Sequence, residues 1–392
     1  MLIGANFIIA MGFGLVAPVL PIFASRFDVG VTAASVVVSA FAFLRLIFAP
    51  ASGRLVTLFG ERWVYVSGLV IVAVMTAACA WAQTYWQLLV FRSAGGIGST
   101  MFTVSALALL VRLSPPHLRG RASGLWASGF LLGSISGPLV GGGLVEISLR
   151  LPFIAYGVAV LLAALLAWLF LRGPGPAVPP PADPENSITV VAALRYRAYR
   201  AALSSGFATG WAVFGVRVSL MPLFVTEALR ASEGFAGLSL SIFAVGNMAA
   251  LTFSGRLADK YGRRPMVING LAVASVGTIW LGLTETEFTF LVASLVSGVG
   301  SGLLSPAQQA AVADVIGPRG GGGPVLAAFQ MSTDVGAILG PLLTGVIAEV
   351  FSYPMAFGLT GLISVLALLV WLMAPETRPT RPVVVAEEPP AP

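Results

Sequence analysis

The side chains of this sequence that could carry charge chemistry are four ionisable residues inside long apolar stretches. Asp334 is the one carboxylate that falls in the interior of such a stretch, and Arg45, Arg92 and Arg217 are the interior cations. Burial in a low dielectric disfavours the charged form of a carboxyl group, so that such a group can exchange a proton near neutral pH. Asp334 is therefore predicted to exchange protons. A buried aspartate that is permanently ion-paired is the alternative.

An arginine inside an apolar stretch is costly and must face protein or water. We predict that Arg92 takes part in charge coupling; the alternative is an arginine near the end of its span that reaches outwards. Three interior arginines against one interior aspartate disfavour a cationic ligand and favour neutral or anionic amphipathic molecules. The residues predicted to line a cavity for such molecules are Arg45, Arg217, Trp211, Gln308 and Gln309.

The composition indicates which class of protein must position these residues. The chain has 392 residues, of which 57% are hydrophobic and 10% are charged, and its mean hydropathy is +0.93. Soluble domains are about a quarter charged, and disorder needs low hydrophobicity, so both classes are excluded. A single cysteine, Cys79, and a single histidine, His117, exclude an intramolecular disulfide and a multi-histidine metal site. We expect no metal and no cofactor, and no nucleic-acid partner despite the net charge of +6.

Twelve apolar stretches are long enough to cross a lipid bilayer, since one membrane helix needs about 20 apolar residues. A long run over residues 63–91 is divided by polar and aromatic residues near 84–86, and its second part continues to about residue 111. The other predicted spans are 1–25, 31–52, 122–145, 151–171, 200–226, 234–255, 265–284, 288–313, 325–349 and 350–375.

The basic residues of the loops predict the orientation of these spans. With both termini in the cytoplasm, sixteen Lys and Arg residues lie in cytoplasmic segments, against Arg26, Arg150 and Arg230 on the other side. Such a bias is typical of a multi-pass protein of the cell's inner (plasma) membrane.

The sequence also repeats itself at an offset of about 202 residues. Gly53 and Arg54 fall on Gly255 and Arg256, and the Gly-Pro pair at 137–138 falls on the pair at 340–341. We therefore predict an all-α polytopic membrane protein, with twelve transmembrane helices in two parallel six-helix halves and a cavity between them. The predicted parts are a first half, 1–172, a cytoplasmic linker rich in proline and basic residues, 173–199, a second half, 200–374, and a disordered tail, 375–392.

Two loop sequences at equivalent positions carry a charged turn. The second, Gly-Arg-Leu-Ala-Asp-Lys-Tyr-Gly-Arg-Arg at 255–264, closely resembles the signature loop of the major facilitator superfamily. The first copy has Thr57 where that family has an aspartate, so any charge latch there is weaker or uses Glu61 instead. The residues assigned to this gating loop are Gly53, Arg54, Gly60, Gly255, Asp259, Gly262, Arg263 and Arg264.

Two further motifs are similar to those of the same superfamily. Arg92 begins an R-x-x-x-G sequence in span 4, and span 5 carries G-x-x-x-G-P-x-x-G-G. The second motif consists of Gly133, Gly137, Pro138, Gly141 and Gly142, and the resemblance implies an antiporter of the twelve-span drug:proton branch.

The resemblance predicts a proton-coupled exporter of small amphipathic molecules that is not an enzyme. We expect it to act as a monomer, with its substrate, protons and the lipid bilayer as partners. A metabolite permease for sugars or organic acids is the alternative within transport. A membrane-embedded enzyme or a transport-dead sensor is a remote alternative, supported only by Thr57.

Overall fold

The computed structural model of the protein describes residues 2–113, 119–171, 188–316 and 323–378. Within these ranges the chain consists of helices and short connections, and it contains no β-strand. Most of the predicted linker, residues 173–187, and most of the predicted tail, residues 379–392, lie outside the described residues. The division into parts at those points stays a prediction.

Twelve long helical segments follow one another in the described ranges, and each corresponds to one predicted span. Spans 1 to 6 are Leu2–Val16 with Val19–Ser25, Val31–Phe59, Glu61–Cys79, Tyr85–Leu113, Arg119–Val145 and Leu151–Phe170. Spans 7 to 12 are Arg197–Ala228, Glu233–Tyr261, Arg263–Gly282, Glu287–Ile316, Gly323–Val350 and Tyr353–Leu372. The predicted fold is confirmed: this is an all-α polytopic membrane protein with two six-helix halves.

The outer surface of the bundle is apolar. Among the described residues, ten helices are long and apolar enough to cross a membrane. Span 6 illustrates the pattern, because Leu161, Leu165 and Phe170 are exposed on its outer face while Tyr156 and Val160 are buried. Only lipid makes such a surface favourable, and a helix satisfies its own backbone hydrogen bonds there.

Span 7 departs from regular α-helix at two places. It is π-helical over Gly210–Val216 and Phe224–Ala228, with an α-helical turn at Arg217–Leu223 between them. At Gly210 span 7 comes so close to span 11 that a Cβ atom would overlap the backbone carbonyl of Thr333. π-Helical turns are rare and occur often at functional sites. Arg217 is the residue directly after the first π-helical segment.

The two halves meet along spans 2 and 11 and along spans 5 and 8. For convenience, the "signature-loop face" is the membrane face that carries the turns at Gly60 and Gly262, and the "opposite face" carries the connections at 26–30, 146–150 and 229–232.

The glycines of the span 5 motif allow span 5 to pack closely against two neighbouring helices, span 1 and span 8. Gly133 and Gly141 lie on the face that packs against span 1, where a Cβ atom at either would come within 2.6 Å of a backbone carbonyl oxygen. Gly142 lies on the other side, where a Cβ atom would be 2.7 Å from the carbonyl oxygen of Gly234 in span 8. The two adjacent glycines therefore serve two different interfaces, one within the first half and one between the halves. Small residues allow backbones this close approach in membranes.

We predict that Gly141→Ala destabilises the protein, whereas Gly143→Ala does not. The new methyl group at 141 meets the backbone of Leu15, which cannot move aside cheaply, while a Cβ atom at Gly143 has no other atom within 4 Å. Overpacking of this kind costs about 1–3 kcal/mol. The measurement is the fraction of monodisperse protein left after a heating series in detergent. Equal loss for both variants would contradict the packing role.

Candidate functional site

An ion pair joins the two halves between the central parts of spans 2 and 11. The Nη2 atom of Arg45 in span 2 lies 2.9 Å from Oδ1 of Asp334 in span 11. The arginine side chain is 34% exposed and that of the aspartate 14%, so the pair is part-buried. Gln330 donates from Nε2 to the same carboxylate oxygen at 3.4 Å. The interior aspartate thus pairs with Arg45, whereas Arg92 lies elsewhere.

Arg45 also lines a cavity of about 240 Å³ that lies mainly within the first half. Its wall is largely aromatic, with a few hydroxyl and amide groups and two guanidinium groups. The lining residues are Asn6, Ile9, Ala10, Phe13, Phe41, Arg45, Leu69, Val72, Arg92, Ser99, Phe102, Thr103, Phe130, Tyr156 and Phe214. Phe214 of span 7 is the one contribution from the second half among these lining residues.

Arg92 lies at this cavity without an anionic partner among the described residues. Its side chain is buried, with 6% of the residue exposed, and its guanidinium carbon lies 4.1 Å from the centre of the Phe41 ring. Its Nε–H group is buried and donates to no acceptor within hydrogen-bond distance among the described residues. The predicted interior cation is therefore in contact with an aromatic face and open space.

The other residues predicted to line the cavity lie outside it in this conformation. Arg217 donates from Nη2 to Ser297 Oγ at 2.8 Å and lies over the Phe243 ring. Trp211 is buried, and its indole N–H donates to Thr360 Oγ1 at 3.2 Å. Gln308 is buried and Gln309 is exposed on span 10. Their assignment to a substrate cavity stays a prediction.

Most of the aromatic lining was not predicted from the sequence. Phe41, Phe102, Phe130 and Tyr156 stand in spans that contain many other aromatic residues. No pattern in a single sequence says which face of a mostly apolar helix is turned inwards.

The opposite face is closed by two equivalent contacts between the halves. The backbone N–H of Gly234, at the start of span 8, donates to Glu146 Oε1 at the end of span 5, with a distance of 3.0 Å. The backbone N–H of Thr32, at the start of span 2, donates to Glu349 Oε2 at the end of span 11, with a distance of 2.8 Å. Glu146 and Glu349 are equivalent in the repeat, as are Thr32 and Gly234. Each carboxylate therefore caps the positive end of a helix of the other half.

Further inter-half hydrogen bonds continue this closure towards the centre. Ser39 donates to the carbonyl oxygen of Ile338 at 2.8 Å, and Ser241 donates to that of Ile135 at 3.1 Å. These contacts lie between the opposite face and the Arg45–Asp334 pair. Their distribution is that of a state closed towards the opposite face.

The charges of the signature loop lie within the second half in this state. Arg263 binds Asp259 Oδ1 at 2.6 Å and Asp314 Oδ2 at 3.2 Å, which ties spans 8, 9 and 10 together. Gly60 and Gly262 have positive φ angles of 80° and 109°, so glycine is needed at both turns. In the first copy, Thr57 donates only to the carbonyl oxygen of its own helix at Arg54. The other loop residues assigned to gating, Gly53 and Gly255, have open space where a Cβ atom would stand, and Arg264 donates to Leu372 O at 2.6 Å.

Glu376, after span 12, completes this cluster. Its carboxylate accepts hydrogen bonds from the backbone N–H groups of Arg263 and Arg264, at the start of span 9. Burial acts to raise the pKa of Glu376, but these bonds and those from Arg378 and Thr377 lower it below its usual value on balance. A depressed pKa means that this contact stabilises the folded state above the usual glutamate pKa and is lost as the pH falls through the lower value. The contact between Glu376 and the start of span 9 therefore stays intact at neutral pH.

Residues 2–227 and 202–392 both match the family model of the Major Facilitator Superfamily. Together with the fold, these matches show that the chain belongs to the major facilitator superfamily.

Named relatives and solved structures agree with this class. The chain is 28% identical over 386 residues to Multidrug resistance protein 1 of Bacillus subtilis, with 94% of each chain covered. It is 25% identical over 358 residues to the quinolone resistance protein NorA of Staphylococcus aureus, with 88% of each covered. Its fold is similar to that of a bacterial homologue of the lysosomal transporter Spinster in an inward-facing state, with a TM-score of 0.75, 19% identity and coverage of 95% and 94%. It is also similar to a D-xylose–proton symporter, with a TM-score of 0.76, 18% identity and coverage of 96% and 98%.

We predict that neutralising both capping carboxylates, with Glu146→Gln and Glu349→Gln together, makes the opposite face open more often. A carboxylate at a helix N-terminus contributes up to ~1 kcal/mol, so the two changes together predict a rise in opening of up to about thirtyfold. The readout is the labelling rate of Ser39→Cys, placed in a chain whose single cysteine is replaced by Cys79→Ser, with a membrane-impermeant thiol reagent.

Glu227→Gln is the matched control for this experiment. Glu227 lies at the same face but accepts its hydrogen bond from Tyr353 of the same half, at 2.6 Å. Its loss is expected to leave the labelling rate unchanged. A double variant that labels no faster than the control would contradict the capping role.

Proposed function

We propose that this protein is a proton-coupled exporter of small amphipathic molecules that works by alternating access. The observation that carries this proposal is the Arg45–Asp334 ion pair, which links spans 2 and 11 across the two halves beside the aromatic cavity. A coupling ion can change the relative position of the two halves if it binds to a titratable group that links them. The efflux and resistance functions in the names of the relatives support export.

The ion pair couples a proton to the motion of the halves in a simple way. In the present state Asp334 holds Arg45 through the ion pair. When the cavity faces the other side, spans 2 and 11 have moved apart, the pair is broken, and Asp334 takes up a proton. Release of that proton on the return re-forms the pair and favours the state described here. A proton therefore shifts the population of the two states through its different affinity for each.

The direction of this cycle follows from the orientation that we propose. The excess of Arg and Lys on the signature-loop face puts that face, and both termini, in the cytoplasm of the cell, with the chain in the plasma membrane. The opposite face, closed by Glu146 and Glu349, is then extracellular. One chain holds the cavity, the ion pair and both closures, so we propose that the monomer is the working unit.

A permease for organic acids is the second candidate. Its supporting observation is that two guanidinium groups, those of Arg45 and Arg92, line the same cavity. Such a carrier would accumulate its substrate inside cells, whereas an exporter accumulates it inside inverted vesicles. Uptake of one labelled compound into both preparations separates the two candidates.

We predict that Asp334→Asn abolishes proton-driven accumulation but leaves exchange of substrate for substrate. The amide keeps the shape of the side chain but cannot take up and release the coupling proton. The measurement is uptake of fluorescent lipophilic compounds into inside-out vesicles, with the pH gradient imposed and then collapsed.

Glu285→Gln is the control, because Glu285 lies in the exposed connection before span 10. It is expected to accumulate the compounds as the unaltered protein does. Normal gradient-driven accumulation by Asp334→Asn would overturn the assignment of the proton site. Accumulation by the unaltered protein that ignores the gradient would overturn proton coupling itself.

A further inference from the structure

The observation that leads furthest is the unbalanced positive charge of Arg92. The ion pair with Asp334 accounts for Arg45, but no carboxylate among the described residues accompanies Arg92. Its Nε atom is buried without a hydrogen-bond partner, and its guanidinium lies on the face of Phe41. A buried cation without a partner is costly, so a position that keeps one needs an anion from elsewhere.

The second half contains an equivalent pair of an arginine and a phenylalanine ring, but there the arginine is enclosed by protein. Phe243 is the repeat equivalent of Phe41, and it too has a guanidinium on its face, that of Arg217. Arg217 comes from span 7 rather than span 10, donates to Ser297, and has a space of only about 10 Å³ beside it. The residue equivalent to Arg92 in the second half is Ser294. The fold therefore does not require an arginine at 92, and only the first half opens its arginine to a cavity of substrate size.

The rest of that cavity fits the body of an amphipathic anion. None of its lining residues is an aspartate or a glutamate, so nothing in the wall compensates Arg92. Phe13, Phe102, Phe130 and Phe214 offer aromatic faces, which bind flat apolar groups well. A guanidinium binds carboxylates and sulfonates through two parallel hydrogen bonds.

We propose that this cavity binds small aromatic anions, with the carboxylate or sulfonate on Arg92 and the ring system among the phenylalanines. This deepens the proposed function, on which its role in transport rests, by naming the substrate class. Binding itself needs only the cavity, so it is testable apart from transport. The proposal also makes Arg92 a substrate-binding residue rather than part of the proton relay.

The first test compares three naphthalene ligands of nearly equal shape by calorimetry on the protein in lipid nanodiscs. They are naphthalene-2-sulfonate, the neutral 2-naphthylmethanol and the cationic 2-naphthylmethylammonium ion. We expect the anion to bind at least about tenfold more tightly than the cation. Equal affinity for anion and cation would overturn the proposal, and this comparison needs no variant.

The second test removes the charge. Arg92→Gln is expected to weaken binding of the sulfonate about tenfold or more while leaving the neutral ligand within about twofold, and Arg92→Lys is expected to lie between. Arg230→Gln removes the same charge from an exposed connection and is expected to bind all three ligands as the unaltered protein does. Undiminished sulfonate binding by Arg92→Gln would overturn the proposal.

The two proposals fail in different ways. Gradient-driven export with no preference for anions overturns the anion site and leaves the exporter. Tight, Arg92-dependent anion binding without any gradient-driven movement overturns the exporter and leaves the anion site.

Discussion

A charge inside a membrane depends on the protein for its partner, because the hydrocarbon supplies neither water nor counter-ions. The structure can be understood from how its four interior charges meet this constraint. Asp334 and Arg45 satisfy each other, but only because span 2 of one half lies against span 11 of the other. The most favourable environment for both charges therefore exists in one arrangement of the halves. In the proposed cycle, this makes their relative position sensitive to a single proton.

The same constraint separates the two arginines over phenylalanine rings. Arg217 is enclosed by its own half, with a hydroxyl group and an aromatic face as neighbours, and it leaves almost no space. Arg92 has the aromatic face but no hydrogen-bonded hydroxyl and no ion-paired acid among the described residues, and it adjoins a cavity. Of the two arginines that lie on equivalent phenylalanine rings, Arg217 is therefore part of the packed scaffold and Arg92 is a candidate for ligand binding. The repeat makes this difference visible, since each half serves as the reference for the other.

Carboxylates cap helix N-termini at both faces, but only at the opposite face do the caps join the two halves. Glu376 caps span 9 within the second half, and the Arg263 cluster braces that half further. Glu146 and Glu349 cap helices of the opposite half, so their bonds break when the halves separate. One face is therefore held across the halves, while the other is stiffened inside one half and free to part. The predicted latch at Asp259 is present as an ion pair, yet in this state it does not cross the interface.

The sequence by itself determined the twelve spans, the repeat and the positions of the turns, because hydropathy over about 20 residues and positive-φ glycines are local properties. It also singled out Asp334 and the three interior arginines, since a charge in an apolar stretch is conspicuous without coordinates. Only the tertiary structure decided that Arg45 is the partner of Asp334 and that Arg92 faces the cavity while Arg217 does not. It alone decided that Glu146 and Glu349 close one face. These outcomes depend on the rotation of each helix about its axis and on contacts between residues about 90 to 320 positions apart. In spans that are apolar on every side, the sequence has no periodic pattern from which the rotation or the contacts could be predicted.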